Sequence, residues 1–390
     1  LEAPRQRPGH VLSDEVATLI YSSGSTGVPK GVELTHANVL SNVQSVLQAI
    51  ELGPGDAVLG ILPLFHSFGY TITTWASLLA GSKTVSHANP LEAKAIGEMC
   101  REHGVTLTVG TPTFYAAYLR RCKPEDFASV RLAISGAQKL NQGLADAWEA
   151  KYGSRLMEGY GCTALSPVVS ANLPTPPEAP RRMRGHRPGS IGRPVPGVAV
   201  RVVAQDAYPG ADVERGPGES GLILVKGPNV MRGYLNDPAR TGDVLLDGWY
   251  ATGDIGYLDE DGFLFITDRL SRFSKIGGEM VPHGRVEETL LDQMFELARG
   301  AIDGDEESVP EVAVTAVEDA SKGERLVVLH TALPFDVAEL KERAKESELP
   351  KLFVPRPDAW YEVEAIPKLG TGKVDLGGVR RLARENVGGG

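Results

Sequence analysis

Ser22, Ser23, Ser25 and Thr26 place four hydroxyls within five positions of the stretch SSGSTGVPKG, and a single amine follows at Lys30. Gly24 and Gly27 interrupt the run with bare backbone. Without a Cβ in the way, successive amide N–H groups converge on an anion, the hydroxyls donate further hydrogen bonds, and the ammonium adds a compact positive charge. A polyphosphate suits that set of donors. The stretch differs from a Walker loop, which ends Gly-Lys-Ser/Thr and opens a helix. Here Pro29 precedes the lysine, Gly31 follows it, and the next residues, GVELTH, look like a strand. The competing interpretation is a polar hairpin loop that binds nothing.

Such a loop needs a scaffold on both sides. VATLIYSS, just before it, is apolar and rich in branched residues, so it reads as a buried strand. Thr35 is placed to cap a helix through HANVLSNVQSVLQAI. Strand-like and helix-like segments then alternate: AVLGILPLF before TTWASLLA, EAKAIGEMCREH before TLTVGT, VRLAISGA before NQGLADAWEAKY. That alternation predicts a parallel sheet covered by helices. From Arg181 to about Asp268 the chain is rich in Gly and Pro with short strands such as GLILVKG and GFLFITD, which predicts a β-rich subdomain. Beyond DRLSRFSKIGG, the helix PHGRVEETLLDQMFELA, the strands EVAVTAVED and RLVVLHTAL and the helix VAELKERAKES predict a compact α+β unit. The expected class is α/β, with a large domain over residues 1–270 and a smaller α+β domain over residues 271–390.

Composition narrows the function. The chain has 390 residues, 42% of them hydrophobic, enough to bury a sizeable core. A formal charge of -10 argues against nucleic acid as a partner. The local basic run RRMRGHR, Arg181 to Arg187, reads either as a solvated loop or as a face for an acidic partner. Cys100, Cys122 and Cys162 are too few and too scattered for a disulfide framework or a zinc site, which suits a reducing, cytoplasmic setting. The longest apolar stretch, YTITTWASLLAG, falls short of the ~20 residues a spanning helix needs.

The loop SSGSTGVPKG is similar throughout to the phosphate-loop signature of the adenylate-forming superfamily, which includes acyl-CoA synthetases, peptide-synthetase adenylation domains and firefly luciferase. Four further stretches resemble the family's motifs in the family's order. GYGCTALSP (Gly159 to Pro167) resembles the aromatic-containing adenine loop, and GSIGRPVPG (Gly189 to Gly197) the motif after it. WYATGDIGYLDEDGFLFITDR (Trp249 to Arg269) resembles the ribose-binding segment, and PKLGTGKVD (Pro367 to Asp375) the loop of the catalytic lysine. The resemblance covers essentially the whole chain.

It implies a reaction that joins a carboxylate to the α-phosphate of ATP, releases pyrophosphate, and passes the acyl group to a thiol, with AMP as the other product. By that resemblance Ser22, Ser23, Gly24, Ser25, Thr26, Gly27 and Lys30 hold the departing phosphates, and Thr163 hydrogen-bonds the α-phosphate. Tyr160 stacks on adenine, while Gly136, Ala137 and Gln138 of SGAQKL line the base. Asp254 accepts both ribose hydroxyls, Arg269 reaches the ribose, and Lys373 bridges carboxylate and α-phosphate in the transition state. Core packing for Tyr160, a turn role for Asp254 and a solvated lysine at 373 are the duller alternatives. His66 in LPLFHSFG falls beside the implied acyl pocket, where a structural histidine is the alternative. The smaller domain is implied to be a mobile lid hinged at Ser271, a position where the family usually carries Asp or Lys. In its second orientation SKIGGEMVP lines a tunnel for a phosphopantetheine thiol, with Gly277 and Gly278 letting the arm approach the backbone.

Two departures from the family pattern stand out. The Glu that follows Thr163 in the family and holds Mg²⁺ is Ala164 here, and a methyl group cannot ligate a hard cation. Substrate phosphates and water are left to retain Mg²⁺, so slow catalysis and a non-catalytic adenylate-binding module both stay open. Family members also carry a long segment ahead of the phosphate loop, so the large domain is expected to be truncated at its N-terminus. SGAQKLN, EGYGCT and DRLSRFSKIGGEMVPHGRVEE are most similar to the synthetase domain of bacterial bifunctional acyl–acyl-carrier-protein synthetase/2-acylglycerophosphoethanolamine acyltransferases. That subgroup implies a long-chain fatty acid as substrate and acyl carrier protein as acceptor, in phospholipid metabolism. It also implies a cytoplasmic site, or inner-membrane association through an upstream region. The basic run would then meet the acidic carrier, and ligation to CoA is the alternative.

Overall fold

In the computed structural model, the residues flanking the opening loop form a hairpin: β1 (Val16–Ser22) pairs antiparallel with β2 (Lys30–Thr35), Ser22 opposite Lys30. The structure describes residues 13–22, 29–175, 185–205, 208–209, 213–298, 310–319, 321–368 and 374–388. Ser23, Gly24, Ser25, Thr26, Gly27 and Lys373 lie outside these described residues, as do Arg181 to Arg184 of the basic run. On the hairpin Ile20, Val32 and Leu34 are buried while Leu19 and Tyr21 are exposed, the two-residue alternation of a half-buried sheet. Helix α1 (His36–Ile50) starts where expected. The Thr35 hydroxyl accepts from Asn38 N at 3.1 Å and the Asn38 side-chain oxygen accepts from Thr35 N at 2.9 Å, a reciprocal cap that satisfies two orphan donors.

A seven-stranded sheet follows. Its parallel strands are β3 (Ala57–Gly60), β4 (Lys83–Ser86), β5 (Leu107–Gly110), β6 (Leu132–Ser135) and β7 (Leu156–Gly161). Between them come the π-helix Gly69–Ala76 with α2 (Ser77–Ala80), then α3 (Ala93–His103), α4 (Pro112–Arg121) and α5 (Gln142–Tyr152). The antiparallel strands β8 (Val168–Ala171) and β9 (Arg193–Pro194) complete the order β4-β3-β5-β6-β7-β8-β9. Val58, Leu59, Leu107, Val109 and Ala133 are all buried, the near-continuous apolar run of strands covered on both faces. Under α4 and α5 an aromatic cluster fills the core, with the Trp148 and Tyr152 rings 4.3 Å apart. The strand expected to run from Ala57 to Phe65 stops at Gly60. Pro63 lacks an N–H donor, and the chain folds back so tightly that a Cβ at Gly69 would stand 2.4 Å from the Pro63 carbonyl oxygen.

The β-rich stretch comprises β10 (Ala199–Val203), β11 (Gly221–Lys226), β12 (Gly233–Tyr234), the short helix α6 (Pro238–Val244), β13 (Leu245–Leu246), β14 (Trp249–Leu258) and β15 (Leu264–Arg269). The order is β10-β11-β14-β13 with β15 on β14, while β12 joins the opening hairpin as β1-β2-β12. Beyond it come β16 (Phe273–Ile276), β17 (Glu279–Pro282), α7 (His283–Ala298), β18 (Val312–Asp319), β19 (Gly323–His330), α8 (Val337–Glu346), β20 (Trp360–Glu362) and α9 (Leu376–Gly388). Along β19, Leu326 and Val328 pack in one cluster with Val286 and Leu340, whereas Val327 and Leu329 pack in another with Val379 and Ala383. Both faces of that small sheet are therefore covered by helices. The chain divides into two compact units, one built mainly from Pro29–Thr252 and Tyr257–Ile266 with the first strand, the other from Gly253–Gly256 and Thr267–Gly390. No described helix is long and apolar enough to cross a membrane.

Candidate active site

Parallel strands bring their carboxyl ends to one edge of the sheet, the edge where open α/β sheets bind ligands. At the end of β6 the chain turns at once. Gly136 N donates to Gly110 O at 2.9 Å, and Ala137 takes φ 69°, a left-handed conformation that a non-glycine residue adopts only when its surroundings hold it there. Gln138 Oε1 accepts from Thr113 Oγ1 at 3.3 Å, which ties the turn to the first turn of α4. A Cβ at buried Gly136 would stand 3.1 Å from Phe68 Cε1 and 3.5 Å from Gly159 O. The His66 segment, the β6 turn and β7 thus meet at bare backbone.

Tyr160, on β7, pairs with Ser170 of β8 and packs beside a buried apolar cluster. Past it, Cys162 N donates to Pro167 O at 3.0 Å and Leu165 N to Cys162 O at 2.9 Å, closing a short turn. Gly161 makes that closure possible, since a Cβ there would lie 2.0 Å from Pro167 O. Thr163 opens the 3₁₀ turn Thr163–Leu165 and is half-buried. The Ala164 methyl is buried in the apolar cluster with Leu165 and Val169. No oxygen ligand for a metal stands at that position, and among the described residues no group of three His, Cys, Asp or Glu could hold an ion. Among the described residues, those around this turn do not fit a protein-held Mg²⁺.

His66 Nδ1 accepts from Phe68 N at 3.2 Å, which fixes the ring and leaves the proton on Nε2. Leu64 and Phe65, the two residues before His66 in the chain, are exposed. Lys30, at the start of β2, holds its Nζ 5.3 Å from the centre of the Tyr234 ring, a cation–π contact. Ser22 ends the facing strand, so both described ends of the opening loop sit side by side.

In the second unit, Asp254 is buried and its carboxylate lies 2.9 Å from Arg269 Nε. The two residues implied to reach the ribose are thus partners of each other. Gly277 and Gly278 take φ 58° and 93° in the two-residue turn between β16 and β17, and a Cβ on either would meet open space. The hairpin itself demands positive φ at both positions. Sequence reasoning missed three buried polar groups nearby. The Asp268 carboxyl accepts from Arg269 N at 2.7 Å, and burial pushes it up to about 6. His283 Nε2 lies 2.7 Å from Ser274 Oγ, and burial, with the charges of Arg272 and Arg380, pulls the imidazole down to about 3. Phe68 and Thr113 also escaped notice, because neither bears a motif. The expectation for the basic run needs correcting at Arg187, whose guanidinium pairs with Asp259 and Asp261 and lies 4.9 Å from the centre of the Phe263 ring.

A family model described as AMP-binding enzyme matches residues 2–235. A long-chain-fatty-acid–CoA ligase of Bacillus subtilis (strain 168) is 34% identical over 397 residues, which cover 99% of this chain and 64% of the ligase. The chain therefore spans less than two-thirds of that curated relative. Among solved structures, ATP-bound MatB from Rhodopseudomonas palustris superposes with TM-score 0.80 at 27% identity, over 96% of this chain and 69% of that one. The o-succinylbenzoate CoA synthetase MenE from Bacillus subtilis, in complex with its acyl-adenylate intermediate, gives TM-score 0.78 at 27% identity, over 94% and 69%. The chain belongs to the AMP-binding enzyme family.

Proposed function

We propose that this chain carries AMP-forming acid–thiol ligase chemistry: it activates a fatty acid with ATP as an acyl adenylate and transfers the acyl group to CoA. The observation that carries the reading is the meeting of the Gly136–Gln138 turn, the Tyr160 strand end and the Thr163 turn at the carboxyl edge of one sheet. Ala137, held at φ 69°, fixes the course of the turn, and Tyr160 is proposed to stack on the base. Thr163 supplies a hydroxyl donor to a phosphate at the start of its turn. In the adenylation step the fatty-acid carboxylate attacks the α-phosphorus and pyrophosphate leaves. Cations and dipoles aimed at that phosphate offset the repulsion between the two anions. Lys30 and the hydroxyls of the opening loop are proposed to hold the leaving phosphates, and Lys373 to bridge carboxylate and phosphate from a mobile lid.

The Bacillus subtilis protein is named for ligation of long-chain fatty acids to CoA. Arg187, the one arginine of the basic run among the described residues, is already paired with acidic side chains. CoA is therefore proposed ahead of acyl carrier protein. Fatty-acid-dependent ATP–pyrophosphate exchange by the full-length polypeptide tests the first step, and discharge of the adenylate by free CoA or by holo-carrier protein tests the second. Faster discharge by the carrier would reverse the choice of acceptor. A second reading, a silent adenylate-binding module, is favoured by the buried methyl of Ala164. Tight AMP binding with no exchange for any fatty acid would establish it.

A further inference from the structure

The turn that carries Thr163 is fastened by side chains from three remote segments. Asn42, on α1, brackets Val168: its amide donates to Val168 O at 2.7 Å and its carbonyl accepts from Val168 N at 3.1 Å. Asn229, past β11, donates to Leu165 O at 2.9 Å, while its main-chain carbonyl accepts from Ser166 Oγ at 2.8 Å. Thr71, in the π-helix Gly69–Ala76, donates its hydroxyl to Ser166 O at 2.8 Å, and both residues are fully buried.

Thr71 differs from the two asparagines in what it is joined to. Its helix grows directly out of the His66 segment, with Tyr70 N donating to His66 O at 2.9 Å. The widened turns are secured from within, since Thr73 Oγ1 donates to Gly69 O at 2.7 Å. π-Helical turns are uncommon and concentrate at functional sites. Here the wide turn sets the Thr71 hydroxyl against Ser166 O, three residues past Thr163.

We propose that Thr71 is a positioning residue that locks the turn bearing Thr163 to the segment bearing His66, so that the phosphate donor and the acyl-side segment keep a fixed spacing. This rests on the adenylation reading above. A reaction between two bound groups is steeply sensitive to their separation, and a buried carbonyl that loses its donor drifts toward another. The hydroxyl, and not the bulk of the threonine, is the operative part.

The test uses the full-length polypeptide with Thr71→Val, which keeps the volume and removes the hydroxyl, and Thr71→Ser, which keeps the hydroxyl. Thr71→Val is expected to lower kcat for fatty-acid-dependent ATP–pyrophosphate exchange about tenfold with little change in the KM for ATP. Thr71→Ser should stay within about twofold of the parent. Hydrogen exchange over residues 164–168 should accelerate in Thr71→Val alone. If Thr71→Val does not fold, Thr71→Ala removes the hydroxyl without setting a methyl against the carbonyl. An unchanged kcat in the variant lacking the hydroxyl, or equal impairment of Thr71→Ser, overturns the proposal. If the parent itself exchanges no pyrophosphate, the adenylation reading has failed separately. Protection at 164–168 then decides the tether, and unaltered protection in Thr71→Val overturns it.

Discussion

Gly161→Ala offers a sharp test of the turn that presents Thr163. The added methyl would stand 2.0 Å from the Pro167 carbonyl oxygen and 2.7 Å from its carbon. Close carbon–oxygen contacts settle near roughly 3.3 Å, so the turn must open by more than ~1 Å. Opening it sacrifices the hydrogen bond from Cys162 N to Pro167 O, which is 3.0 Å long, in a place where Ser166 is fully buried. A buried backbone group left without its partner costs ~1–3 kcal/mol, and disturbed packing around Leu165 adds to that. A total loss of ~3 kcal/mol is expected. Gly161 is not among the glycines at positive φ, so alanine is torsionally permitted there and the whole penalty is steric. Gly153 supplies the control: it caps α5 at φ 77° with nothing within 4 Å of an added Cβ. Its alanine variant should cost only the left-handed penalty of ~1–2 kcal/mol. Denaturant unfolding and AMP titration of the two variants separate the effects. Gly161→Ala should weaken AMP binding by about tenfold or more, whereas Gly153→Ala should leave it alone. Wild-type AMP affinity in a folded Gly161→Ala protein would refute the view that this turn shapes the nucleotide site.

Three other perturbations probe separate parts of the molecule. Asp254→Ala removes a buried carboxylate paired with Arg269 and should raise the KM for ATP by about tenfold, read by pyrophosphate exchange; an unchanged KM would leave Asp254 a structural role only. Lys373→Ala should abolish adenylation while CoA still discharges supplied acyl adenylate at close to the parent rate, and equal loss of both steps would refute the lid reading. Asp56 is held down to about 2, first by the Arg131 guanidinium and then by Thr106 and the Gly53 amide. Because its folded value lies below the ordinary 3.8, the pair stabilises fully above that pH and its contribution is lost as pH falls toward 2. Allowing for the exposure of Arg131, Asp56→Asn should cost ~1–2 kcal/mol of unfolding free energy at pH 7, and less at pH 3, by urea unfolding.

What the chain shows before it folds depends on how far apart the interacting residues lie. The cap of α1 is legible because Thr35 and Asn38 are neighbours, and the parallel sheet is legible because each strand and helix carries its own period. The alternation passes over α4, although Pro112 at its first position is a helix-start signal. Tethers between segments are of another kind. Thr71 reaches across 95 positions to Ser166, and Asn42 across 126 to Val168, spans that no local window samples. The same limit hides the meeting of Phe68 with Gly136, and the burial that turns Asp268 from an ordinary surface acid into one pushed up to about 6. Glycine shows the limit most plainly. Gly161 and Gly277 are identical letters, yet one is required by a carbonyl 2.0 Å away and the other by a backbone at φ 58° with open space around it. A ligand approaching Gly277 is therefore not needed to explain that glycine, whereas the closed turn at Gly161 has no other occupant that fits.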